Sequence, residues 1–169
     1  MATVVAAPRS AVWSALTDPE QIARWRPGVE ATIAGAEPSP AAGRQLRFRC
    51  RLQGVPVTLE ETWLEVSPGE RLRSVVRFGL FRCEEAFSLA AADPDGGHTR
   101  VSLRIATPSE TPLVGASLDR FAVRRFATEL AATCLRALRD WCELGQPAAL
   151  PRPAPGEARP IAVNLRDPA

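Results

Sequence analysis

Hydrophobic and polar residues alternate along the middle of the chain. From Leu46 to Leu52 every second residue is apolar and the residues between are arginines, which is the period-two pattern of a half-buried β-strand. Four later segments repeat the pattern, and glycine- or proline-containing turns separate them. The predicted inward residues are Leu46, Phe48, Cys50 and Leu52; Val57, Leu59, Glu61 and Trp63; Leu72, Ser74, Val76 and Phe78; Cys83, Glu85, Phe87 and Leu89; and Val101, Leu103 and Ile105. The short connections predict an antiparallel meander.

The two ends of this region have helical patterns instead. After a short strand at 3–7, the sequence predicts two short helices, the second with Asp18 as N-cap and Pro19 as its first residue. From about residue 112 to 144 an apolar stripe recurs at helical spacing and predicts one long amphipathic helix. The stripe consists of Val123, Phe126, Leu130, Cys134, Leu138 and Trp141. These elements predict an α+β domain whose curved antiparallel sheet wraps around the long helix, with the short helices closing one end.

Length and composition favour one domain followed by a tail. The chain has 169 residues, 46% hydrophobic and 24% charged, which suits a single core. We assign residues 1–144 to a ligand-binding domain, and the proline-rich residues 145–169 to a tail that we expect to be flexible. No apolar run reaches the roughly 18 residues of a membrane span, and the N-terminus lacks the pattern of a secretory signal. We therefore expect a cytoplasmic protein without stable membrane insertion.

Charge and cysteine spacing exclude several function classes. All 21 basic residues are arginine, and with 19 acidic residues the net charge is +2, too balanced for a typical nucleic-acid binder. Four cysteines show no CxxC spacing, and His98 is the one histidine, so we predict no metal site. His98 lies in a glycine-rich turn, where we interpret it as a solvated loop residue. No phosphate-binding loop is present, and we predict no cofactor.

Three segments resemble one known superfamily. They are Ala7-Pro-Arg-Ser-Ala-Val-Trp-Ser-Ala-Leu-Thr-Asp-Pro-Glu-Gln-Ile-Ala-Arg-Trp-Arg-Pro-Gly28, Asp95-Gly-Gly-His-Thr-Arg-Val101 and Leu138-Arg-Asp-Trp-Cys-Glu143. In this order they resemble the SRPBCC or START-like helix-grip superfamily, in its bacterial polyketide cyclase/dehydrase-like branch. The resemblance implies a helix-grip fold, but it is weakly specific for function, because the superfamily includes cyclases, aromatases and carriers of lipids, sterols and quinones.

The resemblance also implies a cavity between the concave sheet face and the long helix, which is a usual place for a hydrophobic ligand. Combined with the alternation, it yields a set of candidate ligand-binding residues. They are Phe48, Cys50, Glu61, Trp63, Ser74, Val76, Cys83, Glu85, Phe87, Leu103, Phe126 and Leu130. We interpret the cysteines among them as core residues, because nothing in the sequence supplies a base or a depressed pKa.

Two glutamates on otherwise apolar faces are the weak candidates for catalysis. If the turn at 79–80 has two residues and the next turn back is centred between 68 and 69, Trp63, Ser74 and Glu85 form one row across the sheet. Glu61 then lies in the next row, in the same pocket. One hypothesis is an acid/base carboxylate with a pKa raised by apolar surroundings. The alternative, which we favour, is that either glutamate pairs with a cavity arginine or emerges at a strand end.

Three functions of different classes are compatible with this sequence. The first is binding of a hydrophobic or amphipathic small molecule, such as a polyketide, a lipid or a quinone. The second is a polyketide cyclase or aromatase-like enzyme that uses Glu61 or Glu85 in aldol cyclisation and dehydration. The third is a protein-interaction module that uses the outer face or the tail. We favour the first, because catalytic residue types are scarce, and we keep a homodimer as a possible assembly.

Overall fold

A seven-stranded antiparallel sheet and three helices form the domain. The computed structural model describes residues 1–35, 40–52, 54–79, 81–106 and 120–144, except the side chains of residues 52, 120–124 and 126. Its elements are β1 (Ala2–Val5), α1 (Arg9–Thr17), α2 (Pro19–Trp25), β2 (Val29–Ala34), β3 (Gln45–Leu52), β4 (Val55–Ser67), β5 (Arg71–Phe78), β6 (Phe81–Ala91), β7 (Thr99–Ala106) and α3 (Arg120–Leu144). The strand order is β1-β7-β6-β5-β4-β3-β2, which confirms the predicted meander.

The helices lie where the helical patterns predict them. α3 packs against β1 and β7 and against both short helices, so the sheet curves around it as a helix-grip fold requires. The predicted start of this helix near residue 112, the hairpin tip at 80 and the tail at 145–169 lie outside the described residues. None of the helices in the described ranges is both long and apolar enough to cross a membrane.

The junction of the short helices is built as predicted. Asp18 caps α2 by accepting a hydrogen bond from the backbone N–H of Glu20 at 2.9 Å, and Pro19 occupies the first turn, where its missing N–H leaves no helical hydrogen bond unmade. Trp25, at the end of α2, donates from its indole nitrogen to the carbonyl of Ala15 in α1 at 2.7 Å. This hydrogen bond joins the two helices, which together pack against β2, β6 and α3.

One strand is missing from our sequence-based prediction. β2 follows the turn at Gly28 and pairs with β3, but its register shifts twice, between Val29 and Ala31 and between Thr32 and Ala34. Such bulges place two residues opposite one and interrupt the alternation. The strand is therefore real but has no clean period-two pattern, which explains why the sequence does not reveal it.

The predicted cross-strand register is confirmed, although one turn differs from our expectation. Trp63 lies opposite Ser74, and Ser74 lies opposite Glu85. Our centre for the β4–β5 turn is wrong, because Ser67 pairs with Arg71 and the pairing shifts by one residue after Trp63. Without that bulge, the register set by the turn would pair Ser74 with Leu64 instead of Trp63. Ser74 and Trp63 would then lie on opposite faces of the sheet. The bulge thus keeps both side chains on the inner face.

Candidate functional site

A buried arginine lies at the centre of the concave face. Arg26 is the C-cap of α2, with extended backbone angles (φ −72°, ψ 124°). The following Pro27 disfavours helical geometry for the residue before it, so the chain leaves the helix at this point. The Arg26 side chain enters the concave side of the sheet and is only 9% exposed.

Arg26 joins the two glutamates that the sequence singles out. Its Nη1 donates to Glu61 Oε2 and its Nη2 donates to Glu85 Oε2, each at 2.6 Å. Glu61 and Glu85 are 4% and 3% exposed, so both ion pairs lie in the interior. Both glutamates thus pair with a cavity arginine, which is the alternative that we favour from the sequence. The residues form a buried charge cluster of one cation and two carboxylates.

The two carboxylates differ in their remaining partners. Glu61 also accepts a hydrogen bond from the indole nitrogen of Trp63, at 3.2 Å, through Oε1. Glu85 uses only Oε2, and among the described residues no hydrogen bond reaches its Oε1. Glu85 therefore has an oxygen available to another molecule, whereas both oxygens of Glu61 are engaged.

Burial and charge set the protonation of this cluster. Burial raises the pKa of Glu85, and although Arg26 opposes the shift, the neighbouring Glu61 reinforces it. Burial alone would lower the pKa of Arg26, but the negative charges of Glu85 and Glu61 outweigh it and raise that pKa above its ordinary value. Arg26 thus stays cationic. Two carboxylates share it, so protonation of Glu85 leaves the cluster electrically neutral.

Three thiols surround the buried charge cluster. Cys50, Cys83 and Cys134 are buried and free. Burial and the charge of Glu85 raise the pKa of both Cys83 and Cys134 to about 12, so they are neutral thiols near pH 7. This agrees with our interpretation of them as core residues rather than nucleophiles. In the described part of the chain, no group of histidine, cysteine and acidic residues could hold a metal ion.

Most of the predicted ligand-binding residues lie together on the concave face. Trp63 is fully buried, and the guanidinium of Arg44 lies 5.0 Å from its ring centroid, a cation–π distance. Leu130 is half-buried on α3, and the Phe126 side chain lies outside the described residues. The remaining members are buried in the sheet: Phe48, Cys50, Glu61, Ser74, Val76, Cys83, Glu85, Phe87 and Leu103. Whether they touch a ligand remains a prediction.

Exposure of the concave face changes from one end to the other. Away from the β3–β4 and β5–β6 hairpins it is closed, with residues such as Leu46 and Val101 fully buried. Towards the β3–β4 and β5–β6 hairpins its apolar residues become half-exposed. This open end consists of Val57, Leu59, Phe78 and Ile105. The inner face is thus apolar and partly accessible at the end of the sheet that carries the β3–β4 and β5–β6 hairpins.

Two polar clefts lie elsewhere on the surface. One, of about 540 Å³, lies where α1 starts beside the β4–β5 turn and the end of β6. The other, of about 410 Å³, lies between α1, α2 and the end of α3 near Trp141. None of the predicted ligand-binding residues lines either cleft. His98 lies on a turn, exposed and paired with Asp93, as expected for a loop histidine.

Arg26 is the residue that sequence analysis misses. On the long helix, Arg125 is exposed and pairs with Glu129 in its own helix, so it is not the cation of the cavity. Two buried carboxylates require a cation, and the helix-ending Arg26-Pro27-Gly28 supplies one directly after the buried Trp25. That position is the signal that could have identified it.

The sequence of this domain matches a known protein family. Residues 1–143 match the model of a family described as polyketide cyclase / dehydrase and lipid transport. The chain belongs to this family. The match spans the sheet, both short helices and nearly all of α3. It therefore includes Arg26, Glu61 and Glu85 of the buried charge cluster. Among curated proteins, no sequence matches this polyketide cyclase/dehydrase family member.

Solved structures share the fold of this family member at low sequence identity. A protein from Chromobacterium violaceum is 21% identical, with a TM-score of 0.60, over 85% of this chain and 95% of its own. A START superfamily protein from Mycobacterium smegmatis is 20% identical, with a TM-score of 0.62, over 84% and 94%. The Zhui aromatase/cyclase from Streptomyces is 14% identical, with a TM-score of 0.63, over 84% and 90%. These likenesses establish the helix-grip fold.

Proposed function

We propose that the protein binds a hydrophobic or amphipathic small molecule between the concave sheet face and α3. The observation that carries this proposal is the half-exposed apolar end of the concave face, around Leu59 and Phe78. A concave apolar surface that remains partly accessible in a single chain is typical of a ligand pocket. Family membership supports the same class of function.

The buried charge cluster would form the polar end of this pocket. A ligand entering past Leu59 would meet apolar side chains first and Glu85 further in. The unengaged Oε1 of Glu85 could accept a hydrogen bond from a hydroxyl group, or donate one to a carbonyl group when Glu85 is protonated. A polyketide, a quinone or a lipid carries such groups on an apolar body. We therefore favour an oxygenated, largely apolar ligand.

The experiment compares a blocked pocket with an unblocked one. Leu59→Trp would fill the open end from the inner face, whereas Thr58→Trp adds the same ring to the exposed outer face of the same strand. With the neutral dye N-phenyl-1-naphthylamine as the probe, we expect roughly tenfold weaker binding for Leu59→Trp and unchanged binding for Thr58→Trp. Organic extracts of the purified wild type, analysed by mass spectrometry, should contain an apolar compound. Equal probe binding by both variants would refute the pocket.

A second function, polyketide cyclisation, is favoured by one specific observation. Glu85 combines a raised pKa with an oxygen that no described residue engages, as a general acid needs. In an aldol closure the protonated Glu85 would donate its proton to the carbonyl oxygen under attack. The nucleophile would be the enol form of the substrate, and the enol hydroxyl would return its proton to the carboxylate as the new carbon–carbon bond forms. Dehydration would then remove the new hydroxyl group and a hydrogen of the adjacent carbon as water. Neighbouring Arg26 would stabilise the transient negative charge.

This second function has its own test. With the N-acetylcysteamine thioester of a linear poly-β-ketone as substrate, Glu85→Gln should lower cyclised product at least 100-fold and leave binding of the neutral dye unchanged. Glu61→Gln serves as the matched control, because both oxygens of Glu61 are engaged, and it should retain more turnover. Equal turnover by wild type and Glu85→Gln would remove Glu85 from catalysis and leave the binding function standing.

A further inference from the structure

The outer face of the sheet is strongly basic, although the whole chain is nearly neutral. Across β2–β7 this face carries nine arginines and four glutamates, against a net charge of +2 for the chain. The arginines are Arg47, Arg49, Arg51, Arg71, Arg73, Arg77, Arg82, Arg100 and Arg104, and the glutamates are Glu30, Glu60, Glu65 and Glu84. The composition hides this surplus, because the compensating acids lie in other parts of the chain.

The excess of arginines over glutamates on the outer face is greatest beside the β5–β6 hairpin. Arg77 and Arg82 lie directly opposite each other on neighbouring strands, an arrangement of like charges that disfavours folding. Glu60, the neighbour of Arg77 on the other side, already pairs with Arg47 at 3.6 Å. In the described residues neither Arg77 nor Arg82 forms an ion pair, and the same holds for Arg49 two strands away.

Exposed apolar side chains lie at the same end of the sheet. Phe81 is 37% exposed and stacks on Phe78 with ring centroids 5.3 Å apart, and Val55 on the adjacent hairpin is 60% exposed. Phe78 and Phe81 have the inward phase of their strands. Their sequence neighbours Arg77 and Arg82 lie on the outer face, so apolar and basic side chains meet at the end of the hairpin. We name this surface the hairpin-end patch: Arg47, Arg49, Arg77, Arg82, Val55, Phe78 and Phe81.

We propose that the hairpin-end patch docks the protein on the surface of an anionic phospholipid bilayer. Arginines near such a surface are attracted by the negative headgroups, and adjacent aromatic and aliphatic side chains enter the interfacial region. The combination distinguishes a bilayer from a nucleic acid, which offers phosphates but no apolar layer for Phe81 and Val55. The docked patch lies beside the open end of the concave face. This proposal does not depend on the ligand-binding function.

Vesicle co-sedimentation of the full chain tests the proposal. The probes are vesicles of phosphatidylcholine alone and vesicles containing 30% phosphatidylglycerol. We expect binding only to the anionic vesicles, weakening with added salt because the Debye length shortens. Arg77→Gln/Arg82→Gln should bind roughly 20- to 30-fold more weakly. The matched control Arg71→Gln/Arg100→Gln removes the same charge from the other end of the same face and should change binding less than threefold.

The apolar part of the patch has a separate test. Phe81→Ser should weaken binding to the anionic vesicles several-fold without changing the net charge, whereas Val4→Ser, at an exposed position on the far edge strand, should not. Equal losses in the two arginine pairs would overturn the proposal, because they would show a response to net charge alone. Tighter binding to a 30-base-pair DNA duplex than to the vesicles would also overturn it. Circular dichroism verifies that each variant is folded, and the two arginine double variants should bind the neutral dye as the wild type does.

Discussion

On the inner face of the sheet two glutamates share one arginine at 2.6 Å, whereas on the outer face nine arginines meet four glutamates at 2.8 to 3.6 Å or not at all. The imbalance has opposite sign on the two faces. Inside, an unpaired charge would lose its hydration without compensation, so each carboxylate contacts Arg26. Outside, water and salt screen each charge, and surplus arginines are tolerated. The same ion pair therefore has very different energetic weight on the two faces.

Removing Arg26 should have the largest effect. Arg26→Met leaves two carboxylates buried without a cation, and we expect the free energy of unfolding to fall by about 3 to 5 kcal/mol. Urea denaturation followed by circular dichroism measures the loss. The variant Arg26→Met/Glu61→Gln/Glu85→Gln removes all three charges and should recover most of it. A loss below about 1 kcal/mol in the single variant would contradict the buried cluster.

Glu61→Gln should have the next largest effect. The amide keeps the shape of the carboxylate but has a single acceptor oxygen, so it can keep only one of the hydrogen bonds from Arg26 and Trp63. We expect a loss of about 1 to 3 kcal/mol. The same urea experiment applies, with Glu60→Gln as the exposed control one residue away. An equal loss of unfolding free energy in Glu61→Gln and Glu60→Gln would contradict the prediction, because it would mean that the buried and the exposed glutamate contribute equally to stability.

The pH dependence of stability isolates Glu85. Because its pKa is raised in the folded protein, the folded state holds this proton more tightly than the unfolded state. Its stabilising contribution is therefore complete below the ordinary pKa of about 4.5 and is lost as pH rises through the raised value. Wild type should lose stability relative to Glu85→Gln across that range, by at most about 1.4 kcal/mol per pH unit. Unfolding midpoints from pH 4 to 8 measure it, and a constant difference would contradict the raised pKa.

The smallest effect is expected on the outer face. Arg77→Gln removes one of two opposed like charges, and the change in unfolding free energy should stay within about 0.5 kcal/mol, with stabilisation favoured. Thermal unfolding at low and high salt provides the measurement. Because screening already weakens the repulsion at high salt, any gain should shrink there. A clear destabilisation would mean that Arg77 has a structural partner.

Much of the fold follows from local patterns in the chain. Alternation predicts the faces of β3–β7, and the two-residue β5–β6 hairpin predicts that Ser74 lies opposite Glu85, because register is set by turn length and by one buried face. Asp18 and Pro19 similarly predict the start of α2. The β4–β5 turn is the exception, since a bulge after Trp63 compensates for a longer loop. Because the bulge and the longer loop offset each other, the alternation of apolar and polar residues reveals neither of them.

The candidate site could be predicted only in part. The sequence by itself determined that two carboxylates lie on the inner face of the sheet, since their positions follow from period two. Only the tertiary structure decided that Arg26 lies between them, because this arginine is 35 residues from Glu61 and 59 from Glu85. The surplus of arginines on the outer face likewise arises from pairing of distant strands. Alternation along one strand is a local property, whereas the partner of a charge depends on how separate elements pack in three dimensions.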